Sequence, residues 1–179
     1  IRSMGRIIYP CKFILIAASN PCPCGYYNVP NCVCNCTQYQ VSNYNNRISG
    51  PMLDRIDMHI NVGRIEIRDI KDHESKRTGF EASKDVRNRV VRARKLQIER
   101  YIGSAIIVNT ELNGKNMNKH CQITNDGIRI LDMAVEKFSI SMRSYYNTIR
   151  LARTIADLEG NKMINKGHIS EAIQYRYKN

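Results

Sequence analysis

The sequence lacks the motifs by which self-contained enzymes are most often recognised. It contains no G-x-x-x-x-G-K-[ST] loop, no G-x-G-x-x-G turn, no G-x-S-x-G elbow and no H-E-x-x-H helix. Its histidines are scattered at His59, His73, His120 and His168, and each is better explained as a structural or solvated residue than as a catalytic one. A complete and familiar active site within this chain is therefore not expected.

Long apolar segments are also missing. No apolar run approaches the roughly 18 residues that would cross a bilayer. The short apolar stretch near the N-terminus leads directly into Asn-Pro, which makes a poor export signal. We therefore expect a cytoplasmic protein without a membrane partner. The sequence begins with isoleucine rather than methionine, which suggests a fragment of a longer protein.

Acidic residues are few. Sixteen Asp and Glu stand against 28 Lys and Arg, and the formal net charge is +12. Such a balance favours a polyanionic partner, which includes nucleic acid, a nucleotide or an acidic membrane surface. A basic protein whose charges are simply solvated explains the composition equally well.

Cysteine, in contrast, is concentrated in one segment. Five of the seven cysteines fall at positions 22, 24, 32, 34 and 36, around the turn-rich stretch G-Y-Y-N-V-P-N. Four thiolates on such a loop can surround a structural Zn²⁺. Disulfides are disfavoured without an export signal, and a chance cluster of reduced thiols is the other alternative. Cys11 and Cys121 stand alone and are predicted to be small core residues.

The apolar patterns predict a mixed first part and a helical second part. The continuous apolar run at 13–18 predicts a buried parallel strand, and the alternation at 58–62 predicts another. Between them we predict a short helix over 38–48 and a helical turn over 52–56. Capping residues predict further helices that begin near Ser83, Thr124 and Ser141, with a short helix within 109–121 and a last one over 168–177. The predicted division is 1–66, a connecting segment 67–82, and a helical bundle 83–179.

Three polar features are candidates for binding or catalysis. Asn20 follows the first predicted strand, where ligands collect at the carboxyl edge of a sheet, although an Asn that caps a turn is the commoner case. The segment 47–57 holds two Arg and two Asp around a Gly-Pro turn, which fits either phosphate binding or a local salt-bridge cluster. Arg143 stands at the start of a predicted helix, where an anion is favoured, although an exposed Arg is commoner there.

Four blocks taken in order resemble the magnesium-chelatase-like AAA+ ATPases, and within them the bacterial competence protein M group. The blocks are F-I-L-I-A-A-S-N-P-C-P-C-G, C-N-C-T, Y-N-N-R-I-S-G-P-M-L-D-R-I-D-M-H-I-N-V and S-M-R-S-Y-Y-N-T-I-R-L-A-R-T-I-A-D-L-E-G. The resemblance covers nearly the whole chain and is weakest over 63–82 and 103–120. It implies the C-terminal part of an AAA+ P-loop ATPase: the end of an α/β core with a Cys-rich zinc loop, followed by an all-α lid.

The resemblance also implies roles for individual residues. Asn20 falls on the sensor 1 position, Arg55 on the arginine finger and Arg143 on sensor 2, which also binds the nucleotide. The two C-x-C pairs of the family fall on Cys22 and Cys24 and on Cys34 and Cys36, so that Cys32 is an additional thiol. The cofactors of the full-length protein would be ATP and Mg²⁺, with structural zinc.

The implied function is an ATP-driven hexameric ring that acts on DNA, as a helicase or branch-migration factor in transformation or recombination. A chelatase-type or protein-remodelling ATPase is one alternative. Another is a non-enzymatic, zinc-stabilised binding module formed by this chain alone. The chain alone is expected not to hydrolyse ATP, because it lacks the phosphate-binding loop and the acidic Mg²⁺-binding motif.

Overall fold

The computed structural model describes residues 13–63 and 81–176, which belong to two compact units, 1–47 and 48–179. Cys11, most of the predicted connecting segment 67–82 and the predicted helix end at Tyr177 lie outside the described residues. The three-part division of the chain therefore stays a prediction. Within the described residues the helices are α1 (Gln38–Asn45), α2 (Gly50–Leu53), α3 (Ser83–Tyr101), α4 (Gly114–His120), α5 (Asn125–Phe138), α6 (Met142–Glu159) and α7 (Lys166–Gln174), with a 3₁₀ turn at Asn109–Glu111.

The described part of the first unit contains the cysteine loop and α1. Thr37 begins α1 with a capping box, in which its hydroxyl accepts from the backbone N–H of Gln40 and the Gln40 side chain accepts from the Thr37 N–H. This exchange satisfies two donors that a helix start leaves open. Thr37 directly follows Cys36, so the helix begins where the thiol-rich segment ends.

The second unit is a helical bundle centred on α6. Helix α6 packs against α3 and α7, and α7 also packs against α5. The core contains Leu131 of α5, Ile149 and Ala156 of α6, and Ile169 of α7. Cys121 belongs to the same core, as predicted, and burial raises the pKa of its thiol to about 11.

The capping signals located the helices of the bundle well. Thr124 and Ser141 both cap their helices through the side-chain oxygen, as predicted. Gly160 ends α6 at a φ of 78°, a left-handed conformation that glycine adopts without a Cβ clash. Helix α3 begins at Ser83 itself, so Ala82 and not Ser83 occupies the capping position. These helices are confirmed to within a few residues.

The two predicted strands are wrong for the described chain. Residues 13–18 and 58–62 have no strand structure, and Phe13 to Ile16 are between 67% and 90% exposed. A buried parallel strand is stable only between neighbouring strands, and the described residues contain none. The backbone N–H of His59 instead donates to the carbonyl of Tyr175, 2.7 Å away.

The described residues of the bundle contain one isolated bridge rather than a sheet. Ile123 and Ile164 pair in parallel just before α5 and α7, which aligns the starts of these two helices. Within the part of the chain that the structure describes, no helix is long and apolar enough to span a bilayer.

Candidate functional site

Four of the clustered cysteines converge in the first unit. The Sγ atoms of Cys22, Cys24, Cys34 and Cys36 all lie within 4.8 Å of one another. The Sγ–Sγ separations are 3.3 Å between Cys22 and Cys24, 3.5 Å between Cys24 and Cys34, and 3.8 Å between Cys22 and Cys34. Four sulfurs at about 2.3 Å from one ion form a tetrahedron with edges of about 3.8 Å. The thiol cluster therefore has the dimensions of a tetrahedral metal site.

Tight turns bring the two C-x-C pairs together. The backbone N–H of Gly25 donates to the carbonyl of Cys22 at 3.0 Å, and Gly25 has a φ of 83°. Asn28 and Asn31 also have positive φ, at 57° and 59°. Glycine and asparagine are the residues that tolerate this conformation best, so the composition of the loop explains its reversal.

Hydrogen bonds to sulfur give the four thiols unequal acidity. The backbone N–H of Tyr26 donates to Cys24 and lowers the pKa of its thiol to about 6. A backbone hydrogen bond from Cys24 lowers the pKa of Cys36, but the Cys24 side chain and burial outweigh it and raise that pKa to about 12. The four thiols therefore resist losing all their protons together unless a cation neutralises the resulting negative charges. Zn²⁺ held by the four thiols would supply that positive charge, and its binding would release the protons.

The donor set fits structural zinc. All four ligands are sulfurs, which favours Zn²⁺ over harder cations that prefer oxygen. Cys32 is not part of the group of four; its backbone N–H donates to the carbonyl of Val29 within the turn. The four thiols that the structure brings together are those of the predicted set, without Cys32, and their role as zinc ligands stays a prediction.

Replacing Cys24 by serine should release the metal, whereas replacing Cys32 by serine should leave about one Zn²⁺ per chain. Serine does not supply the thiolate that Zn²⁺ needs at neutral pH, and only Cys24 belongs to the group of four. Elemental analysis of both variants and the unmodified chain, purified under reducing conditions, measures the effect. Equal loss of metal from both variants would refute the assignment, as would stoichiometric disulfides in reduced preparations.

Asn20 lies in the same unit as the thiol cluster and is exposed. Its side-chain carbon lies 4.0 Å from the position that a Cβ on Gly25 would occupy, so it borders the first turn of the cysteine loop. Because the preceding segment is not a strand, the expectation that Asn20 lies at the edge of a sheet is not met in the described residues. Its sensor 1 role stays a prediction.

Arg55 lies in the second unit, just after α2. Its side chain is exposed, and it donates to the carbonyl of Pro51 at 2.7 Å within its own turn. The neighbouring Asp54 does not join a purely local cluster: its carboxylate pairs with Arg176 at 3.1 Å. The segment therefore leaves the Arg55 guanidinium accessible while its acidic neighbour faces the bundle.

Arg143 is the second residue of α6 and is exposed. The N-terminal end of a helix carries partial positive charge, to which this side chain adds a full one. Beside it, Ser141 and Ser144 both donate hydroxyl hydrogen bonds to Asp54. The segment that carries Arg55 and the helix that carries Arg143 are thus in direct contact.

The sequence-based interpretation missed two charged groups of the bundle. Arg176 follows α7 and contacts residues more than a hundred positions earlier, which no local pattern indicates. Asp157 is fully buried between Arg100 and Arg153. The i,i+4 spacing of Arg153 and Asp157 was the available signal, since side chains four apart share one helix face.

In this chain a helical bundle follows a thiol-rich loop in the sequence, and comparison with known families identifies the class of protein. The chain belongs to the magnesium chelatase family. Residues 80–176 match the family described as magnesium chelatase, subunit ChlI C-terminal, and residues 1–70 match magnesium chelatase, subunit ChlI. The helical bundle fits the C-terminal lid of an AAA+ protein.

Individual relatives place the chain near the competence protein M group. It is 35% identical over 178 residues to competence protein ComM of Haemophilus influenzae, a match that covers 98% of this chain and 33% of the relative. The protein YifB of Salmonella typhimurium is 35% identical over 175 residues, and YifB of Escherichia coli is 31% identical over 179 residues, with the same coverage. The chain thus spans about a third of the length of these relatives, and the predicted resemblance is confirmed.

Proposed function

We propose that this chain is the C-terminal part of an ATP-driven AAA+ motor that assembles into a ring and acts on DNA. Asn20 would align the attacking water, Arg143 would contact the nucleotide phosphates, and Arg55 would reach the nucleotide held by a neighbouring subunit. Bound Mg²⁺ would neutralise phosphate charge. The single observation that carries the ATPase assignment is the family match, which extends over both parts of the chain.

The arrangement of the two arginines supports a role at a phosphate. Both side chains are exposed, and each follows a local turn or cap that orients its backbone. An arginine guanidinium binds phosphate oxygens through paired N–H groups, and this geometry is lost when lysine replaces it. Neither residue is buried in a structural ion pair of the kind that holds Arg153.

A DNA substrate is supported by the exposed face of α3. Lys84, Arg87, Arg92 and Lys95 are all exposed, and on a helix of 100° per residue they lie within about 140° of one another. The opposite face buries Ala93, Gln97 and Tyr101 against the bundle. We call these four cations the basic face of α3. The name of the Haemophilus relative, a competence protein, agrees with a DNA substrate.

Neutralising the basic face should weaken DNA binding in a salt-dependent manner. Changing Arg87, Arg92 and Lys95 to glutamine should make the negative slope of log K against log salt shallower by roughly 2 to 3 units. Each lost phosphate contact reduces the magnitude of this slope by about 0.9. The measurement is a titration of labelled duplex or branched DNA with the full-length protein at several salt concentrations.

A matched control removes the same charge elsewhere. Lys115, Lys119 and Lys137 are exposed on α4 and α5, and their change to glutamine should leave the slope nearly unaltered. Equal reductions in both triple variants would mean that net charge alone, and not the basic face of α3, attracts DNA.

The proposed function itself is tested by ATP hydrolysis of the full-length protein with and without branched DNA. Stimulation by DNA, together with strand exchange, supports the motor. Hydrolysis that responds only to a protein partner would favour a chelatase-type or protein-remodelling ATPase. A full-length protein without any ATP turnover, but with the zinc intact, would favour a binding module.

A further inference from the structure

We propose that Arg176 is a positioning residue that holds the turn carrying Arg55 against the start of α6. This inference rests on the proposed function of Arg55 and adds the residue that fixes where Arg55 stands. It is carried by contacts of Arg176, Asp54 and His59 within the second unit, which we call the clasp.

Arg176 reaches several acceptors of the turn at once. Its Nη1 donates to the carbonyls of Ile56 at 3.1 Å and of Asp57 at 3.4 Å. Its Nη2 donates to the Asp54 carboxylate at 3.1 Å and to the Ser144 hydroxyl. The Arg176 side chain is only 9% exposed, so these bonds are shielded from competing water. A planar guanidinium is suited to such a set of acceptors, whereas an ammonium group is not.

Asp54 joins the same turn to α6. Its carboxylate accepts from the Ser141 hydroxyl at 3.0 Å and from the Ser144 hydroxyl, both in the first turn of α6 or at its cap. The Ser144 and Ser141 hydrogen bonds and the Arg176 charge together hold the pKa of Asp54 below its ordinary value. The carboxylate thus stays charged where a helix N-terminus favours an anion.

The backbone completes the clasp. The N–H of His59 donates to the carbonyl of Tyr175 at 2.7 Å, and the His59 ring lies 3.2 Å from the carbonyl of Leu53. Residues on both sides of Arg55 are therefore tied to the bundle. Arg55 itself bonds to the carbonyl of Pro51 in its own turn, so its neighbours and not its own side chain determine its position relative to α6.

The clasp would fix the starting position of Arg55, which in the proposed function reaches a phosphate on another subunit. A guanidinium on a fixed turn loses little conformational entropy when it binds the phosphate. A displacement of such a group by about 1 Å can lower the reaction rate by about 10²-fold. Removing the Arg176 guanidinium takes away its hydrogen bonds to the turn and loosens the turn, while the Arg55 side chain stays unaltered.

The test uses the full-length protein with Arg176→Gln, and Arg129→Gln as the matched control. Arg129 is exposed and has only a 3.9 Å ion pair with Asp126. In mixed rings, ATP turnover should fall by about 10²-fold at interfaces where an Arg176→Gln subunit supplies Arg55 to its neighbour. Where an Arg176→Gln subunit binds ATP and an unmodified neighbour supplies Arg55, turnover should stay near normal. Arg129→Gln subunits should give normal turnover in both roles.

A second readout does not depend on activity. Hydrogen exchange of the His59 amide, and of amides around Arg55, should speed up at least tenfold in Arg176→Gln while the core of α6 stays protected. Unchanged exchange at these amides, or equal loss of the donor and acceptor roles, would overturn the positioning role.

Mixed rings distinguish a failed role of Arg55 from a failed role of Arg176. If Arg55→Ala has no effect in the mixed rings, the proposed function of Arg55 fails, and Arg176 loses its role with it. If Arg55→Ala abolishes donor activity but Arg176→Gln does not lower it, only the role of Arg176 is overturned.

Discussion

Replacing Arg55 by alanine in the full-length motor should lower ATP turnover by about 10³-fold or more while ATP binding and ring assembly remain intact. An arginine that reaches the γ-phosphate stabilises charge that develops in the transition state, and removing such a finger typically has an effect of this size. Steady-state hydrolysis, nucleotide binding and sedimentation of the same preparation measure the three properties separately.

Mixed rings decide whether Arg55 acts across the subunit interface. A subunit with Arg55→Ala that still binds ATP should regain hydrolysis beside a subunit that has Arg55 but lacks a phosphate-binding loop. The two defects then complement each other at one interface. Mixtures that assemble yet stay as inactive as either parent would show that Arg55 is not the trans-acting residue.

The contacts of Arg55 and Asp54 bear on the alternative in which Arg55 belongs to a local salt-bridge cluster. Asp54 pairs with Arg176, and Arg55 donates to a backbone carbonyl. Loss of the Arg55 side chain should therefore leave no carboxylate without its ion-pair partner. A loss of stability in Arg55→Ala comparable to its loss of turnover would favour the salt-bridge alternative instead.

The second large effect concerns the stability of the bundle. Replacing Asp157 by asparagine should lower the free energy of unfolding by about 3–5 kcal/mol, because it leaves a buried guanidinium without its counter-charge. Denaturation of the chain by urea, followed by circular dichroism, measures the change.

The contacts of Asp157 explain this expectation. Its carboxylate accepts from Nη1 of Arg100 at 2.9 Å, from Nε of Arg153 at 3.1 Å and from the Asn109 side chain at 2.9 Å. Burial lowers the pKa of Arg153, and Asp157 opposes that shift. Burial also lowers the pKa of Arg100, but the Asp157 hydrogen bond and charge raise it above its ordinary value. Asp157 thus joins α3, the 3₁₀ turn and α6.

Asp126→Asn is the matched control for this stability measurement. Asp126 and Arg129 are 70% and 80% exposed, and an exposed pair of this kind contributes no more than about 1 kcal/mol. If Asp157→Asn were as mild as Asp126→Asn, the buried network would not be what holds α3 to α6.

The candidate site was predictable to different degrees. The four thiols that converge were accessible from the sequence once the resemblance indicated which C-x-C pairs to count, and their role as metal ligands stays a prediction. The positions of Arg55 and Arg143 in a turn and at a helix start were also predictable. Their contact through Asp54 was not, since Ser144 lies 90 residues beyond Asp54 and no local pattern links them.

The amino-acid sequence by itself determined the helices of the bundle, the turns of the cysteine loop and the family. Caps such as Thr124 and Ser141, and turn residues such as Gly25, act on backbone atoms within a few positions, so their effect is readable locally. Only the tertiary structure decided whether apolar segments became strands and which buried charges became partners. Strand pairing and the link between Arg100 and Asp157 join distant residues, and packing brings such residues together where local preference has no influence.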